Sequence, residues 1–119
     1  MTSTQPINLE DIPSSIDSLL QLRAPSVYLV RVEGDSMQGV GIYSGDLLVV
    51  DRLAPATSGS IIIAAVNSEP ICKRMVIRDG GVVLLSENSK FPARYILEGD
   101  QFEVWGVVTH SIRDHDRWS

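Results

Sequence analysis

Two lysines occur in the chain of 119 residues, Lys73 and Lys90. Lys90 lies in the turn-like stretch Glu87-Asn88-Ser89-Lys90-Phe91-Pro92 and reads as solvated. Lys73 is placed differently. Strand alternation puts it on one face with Ile71, Met75 and Ile77, and Cys72, Arg74 and Val76 on the other. Two roles are open to a lysine on an apolar face. It can sit near an edge and snorkel its charge to water. Alternatively, burial holds it neutral, lowering its pKa from about 10.4 toward 7 or below, and the free amine becomes a general base.

A base needs a nucleophile. Glu33-Gly34-Asp35-Ser36-Met37 directly follows an alternating apolar segment. Gly34 permits a sharp turn, which lets Ser36 stand out at a strand end. The backbone N–H groups of Asp35 and Ser36 could then face a developing oxyanion. The plainer reading of the same residues is a turn serine. A histidine triad fits poorly, because His110 and His115 both lie near the C-terminus. Met37 is expected to pack beneath the serine loop. Asp46 and Asp51 are expected to make turn or rim hydrogen bonds. Cys72 faces away from Lys73 by strand parity, and Trp105 is expected in the core or at an interface.

The elements that must position these groups are mostly strands. Segments 27–32, 47–50, 60–66, 71–77, 82–85 and 102–112 read as six strands. Asp79-Gly80-Gly81 marks a hairpin turn between two of them. One short helix is predicted over 15–22, stopped by Ala24-Pro25. The reading divides the chain into an arm with a short helix (1–26, with 1–12 extended or mobile), a β domain (27–113) and a polar tail (114–119). The fold class is therefore mainly β, in one domain.

Composition narrows the function. Fifteen acidic and ten basic residues give a net charge of −5, which argues against a protein whose main affinity is for phosphate backbones. The longest apolar run, Ile61 to Val66, has six residues, against about twenty for a membrane span. No signal-peptide pattern opens the chain. Cys72 is the sole cysteine, so neither an internal disulfide nor a paired-cysteine zinc site can form. The sequence reads as cytosolic, with no cofactor and no metal.

The order Gly34-Asp35-Ser36-Met37, Gly45-Asp46-Leu47-Leu48-Val49-Val50-Asp51, then Lys73-Arg74 resembles the LexA/UmuD family of self-cleaving Ser–Lys peptidase domains. The lysine follows the serine by 37 positions. Ser60 to Val66 and Val104 to His110 look like further strands of that family, so the resemblance runs from about Tyr28 to His110. It implies a compact, highly curved β domain with Ser36 as nucleophile and Lys73 as general base. It also implies a bacterial SOS mutagenesis role. The chain would be a homodimeric accessory subunit that joins a UmuC-like Y-family polymerase in translesion synthesis, with a RecA–single-stranded DNA filament promoting self-cleavage. Direct sequence-specific DNA binding and membrane attachment are not expected.

One departure from the family is visible. Its self-cleavage bond is usually Ala-Gly or Cys-Gly, and no such dipeptide precedes Ser36. The resemblance therefore points to a processed form with a latent peptidase site and a mobile arm. Two alternatives stay open: a phage or plasmid repressor-type or anti-repressor domain, and a soluble Ser–Lys protease resembling type I signal peptidase. No helix-turn-helix fits before Val27, which disfavours a DNA-binding repressor.

Overall fold

The computed structural model describes residues 15–116. The expected arm over 1–12 and the last residues of the polar tail, 117–119, lie outside the described residues. The described residues begin with helix α1 (Ile16–Leu20), whose N-cap Ser15 accepts a hydrogen bond from the Ser18 N–H at 3.3 Å. Seven strands follow: β1 (Val27–Arg31), β2 (Leu47–Asp51), β3 (Ile61–Val66), β4 (Glu69–Arg78), β5 (Gly81–Leu85), β6 (Arg94–Tyr95) and β7 (Phe102–Ile112). A 3-10 turn over Gln38–Val40 lies between β1 and β2.

Six strands fall where alternation and turn residues predict them. β6 has two residues, too few for periodicity to register, and exists through its pairing with β5 at Val83↔Tyr95 and Leu84↔Arg94. All the strands form one antiparallel sheet in the order β1-β2-β7-β3-β4-β5-β6. The sheet curls strongly. β1 and β4 have three strands between them in this order, yet Val30, Val32, Ile71 and Cys72 line the same cleft.

β7 is where the sheet bends. It pairs with β3 over Phe102–Val107 and with β2 over Val107–Ile112, with a bulge in each ladder. The skipped residues are Trp105 and Thr109. Bulges sharpen local twist and bend the strand that carries them. Trp105 is consequently not a core residue: it is 39% exposed, and its carbonyl accepts from the Tyr28 hydroxyl at 3.2 Å.

Curling gives β3 two buried faces. Ile63 belongs to a cluster with Met37, Ile42, Leu48 and Val50, and Ile62 to a second with Ala64, Val66, Met75 and Leu84. A strand buried on both faces reads as a continuous apolar run, as Ile61 to Val66 does. Shortening Ile62 to alanine would cost about 2–5 kcal/mol by the usual price of a core cavity.

Candidate active site

Lys73 lies on β4 opposite the fully buried Ile62 of β3. On its other side the β4–β5 ladder pairs Arg74 with Leu85, and one further step of that register brings Ser86 opposite Lys73. The lysine Nζ donates to Ser86 Oγ at 2.6 Å and stands 5.3 Å from the centre of the Phe91 ring. The amine is therefore held part-buried against Ser86 and Phe91. Burial pushes its pKa below the ordinary lysine value, against opposing pulls from Cys72 and Glu69.

Ser36 follows β1 in a loop that Gly34 makes possible. Gly34 has φ +93°, a left-handed conformation, and its N–H donates to Ser44 Oγ at 3.3 Å. The next side chain, Met37, is 2% exposed and joins the first core cluster, so the serine is anchored from beneath. Ser36 itself is half-buried.

The loop is tied to the segment after β5. Glu87 N–H donates to the Ser36 carbonyl at 2.8 Å, Asn88 Nδ2 to the Asp35 carbonyl at 2.9 Å, and Gly39 N–H to the Glu87 carbonyl at 2.6 Å. Glu87 in turn pairs with Arg74, whose Nη1 also donates to the Gly59 carbonyl at 2.6 Å. Residues 86–88 thus touch the lysine with one side chain and hold the serine loop with the next two residues. Among the described residues, Lys73 and Ser36 share no direct hydrogen bond. They are joined through Ser86 and Glu87.

The anchoring of the Asp35–Ser36 turn runs through its carbonyls, which leaves the two amides out of it. Beside this turn lies an open, polar depression of about 630 Å³ bordered by Asp35, Gln38, Ser86 and Phe91. The more enclosed cleft between β1 and β4, about 230 Å³, reaches Glu33 on one wall and Cys72 on the other. Glu33 lies three positions before Ser36, and Cys72 is next to Lys73.

The remaining polar groups take other parts. Burial pushes the Cys72 thiol up to about 11, and the side chain packs against the first core cluster. Asp46 is 2% exposed and does more than cap a turn. It accepts from the Tyr43 N–H at 2.8 Å and from Arg113 Nε and Nη2, both at 2.9 Å. Asp51 accepts from the Leu53 N–H at 2.9 Å. His110 and His115 are exposed.

Ser86, Glu87 and Asn88 were not singled out from the sequence. A signal for Ser86 was present: a hairpin centred on Asp79-Gly80 pairs Arg78 with Gly81, and the same register pairs Lys73 with Ser86. Nothing comparable points to Glu87 and Asn88, which hold the backbone of a loop about fifty residues earlier, Glu87 by its N–H and Asn88 by its side-chain amide.

Residues 3–109 match the model of the Peptidase S24-like family. The chain belongs to that family. Among its S24-like relatives, protein MucA of Salmonella typhimurium and protein MucA of Escherichia coli are each 43% identical over 96 residues. That alignment takes in 79% of this chain and 65% of MucA. The LexA repressor of Cupriavidus pinatubonensis is 38% identical over 87 residues, 72% of this chain and 40% of that repressor. The chain thus spans just under two-thirds of the length of MucA. No helix among the described residues is long and apolar enough to cross a membrane.

Proposed function

We propose that this chain is the serine-peptidase module of an SOS mutagenesis accessory subunit similar to UmuD, with Ser36 as nucleophile and Lys73 as general base. The observation that carries the reading is Lys73: a desolvated amine on the strand face beside the serine loop, with its pKa pressed down. A neutral amine takes the proton from Ser36 Oγ as the oxygen adds to the carbonyl carbon of a peptide bond. The carbonyl oxygen takes the negative charge and turns toward the amides of Asp35 and Ser36. The resulting ammonium returns its proton to the leaving amine. Water then hydrolyses the acyl-serine, with Lys73 again as base. The cleft between β1 and β4 accommodates an extended segment leading to Ser36.

By the family resemblance, the segment cut is part of the protein's own sequence, a RecA filament on single-stranded DNA promotes the cut, and a homodimer serves a UmuC-like Y-family polymerase. Similarity to MucA exceeds that to the LexA repressor in both identity and reach, which favours an accessory subunit over a repressor. The test supplies an Ala-Gly peptide in trans, with and without RecA filaments. Cleavage that disappears in Ser36→Ala and Lys73→Met supports the peptidase reading, and undiminished cleavage in either variant refutes it. Retention of a Y-family polymerase subunit on the immobilised protein tests the partner.

A further inference from the structure

The amine of Lys73 has a hydroxyl partner that the Ser–Lys reading does not require. We infer that Ser86 is a positioning residue, whose hydroxyl holds the Lys73 amine in the orientation that turns its lone pair toward Ser36. This rests on the proposed roles of Ser36 and Lys73.

The geometry supports this in three ways. Ser86 Oγ accepts from Lys73 Nζ at 2.6 Å in a part-buried setting at the edge of the open depression. The β4–β5 ladder places the two residues opposite each other, so neither backbone must distort to make it. The next residue, Glu87, holds the Ser36 carbonyl from its own N–H at 2.8 Å. One short segment therefore sets both the rotation of the base and the position of the nucleophile.

A lysine side chain has four rotatable carbons, and its amine alone fixes no direction. Burial keeps it neutral but does not aim it. With one N–H committed to Ser86 Oγ, the other N–H and the lone pair are confined to the remaining directions. Phe91 closes another side of the amine. The ionisable groups that bear on it are Cys72 and Glu69, both on β4. Glu87, which follows Ser86, is engaged by Arg74.

The experiment follows the rate at which a fluorophosphonate probe labels Ser36 in the full chain, by intact mass across pH. In labelling, Ser36 Oγ bonds to phosphorus, fluoride leaves, and Lys73 takes the hydroxyl proton. A misdirected reacting group costs up to about 100-fold, so Ser86→Ala should lower the limiting rate at high pH by about 10- to 100-fold. Ser86→Thr, which retains a hydroxyl, should recover most of it. The midpoint should move to lower pH in Ser86→Ala, because a hydrogen bond to the ammonium is stronger than one to the free amine. Lysine-labelled NMR reads that titration directly, with Lys90→Arg assigning the only other lysine.

Wild-type labelling in Ser86→Ala, with labelling abolished in Lys73→Met, would overturn the inference and leave the Ser–Lys reading intact. A loss in Ser86→Ala that Ser86→Thr fails to restore would make Ser86 a packing residue and also overturn it. Wild-type labelling in Lys73→Met would instead overturn the Ser–Lys reading beneath it.

Discussion

Gly39 lies directly against the Glu87 carbonyl, to which its own N–H donates at 2.6 Å, and a Cβ at this glycine would collide with that oxygen. The contact is backbone against backbone, so no flexible side chain can yield. It clamps the serine loop to the segment that carries Ser86.

Gly39→Ala should therefore force the two segments apart. Overpacking of this kind costs about 1–3 kcal/mol. Urea unfolding should show a loss in that range. Ser36-dependent peptide cleavage should fall by at least about tenfold, since displacement of reacting groups by an ångström is expensive. Unchanged cleavage with lowered stability would separate the clamp from the catalytic geometry.

The pH dependence follows from Lys73. Its pKa is lowered by burial, so the neutral, active amine appears at lower pH than for a solvated lysine. Cleavage should rise with pH through a single midpoint below about 10.4. A midpoint at or above that value would count against a desolvated base. Lys73→Arg should be inactive throughout, because a guanidinium stays charged.

Asp46 and Arg113 make a stability prediction. The Arg113 guanidinium, which also lies 4.2 Å from the Tyr43 ring, holds the Asp46 carboxyl below its usual range. Hydrogen bonds to charged groups are worth about 1.5–3 kcal/mol, so Arg113→Ala should destabilise by about 2 kcal/mol near neutral pH. A carboxyl whose pKa is lowered on folding contributes fully above its unfolded value, about 3.9, and loses that contribution as pH falls through its folded value. The gap between wild type and Arg113→Ala should hold from pH 5 to 8 and shrink below about pH 4. Parallel urea titrations at pH 7 and pH 3 would check this.

The association state can be tested on β7. A long terminal strand is a candidate for pairing with a second copy, but the sheet sets β7 between β2 and β3. Over Val108–Ile112, however, it is registered with β2 alone among the described residues, and Ile112 is 38% exposed. A free stretch of strand edge is a site for pairing with a second copy. Light scattering at tens of micromolar should give twice the chain mass of 13.0 kDa, and Ile112→Glu should lower it. A single-chain mass would reject the dimer.

The residues by themselves determined much of this protein. Alternation in Val27–Arg31 and Phe102–Ile112, the apolar run of β3 and the Asp79-Gly80-Gly81 turn are local signals, set by backbone sterics and side-chain parity within one element. The parity of β4 placed Lys73 with Ile71 and Met75, which both pack with the second core cluster. Local pattern also put Ser36 at the end of β1, after the glycine that turns the chain. Parity could not decide how far β7 is interior, because strand order depends on non-local pairings. Nor could it reveal the bulge in the β3–β7 ladder that leaves Trp105 out of the core. The junction of the site was likewise tertiary. Ser36 and Glu87 meet 51 positions apart because the curled sheet brings the loop after β1 onto the end of β5. Sequence named the two residues proposed to react, and the curvature of the sheet supplied Ser86 and Glu87, which join them.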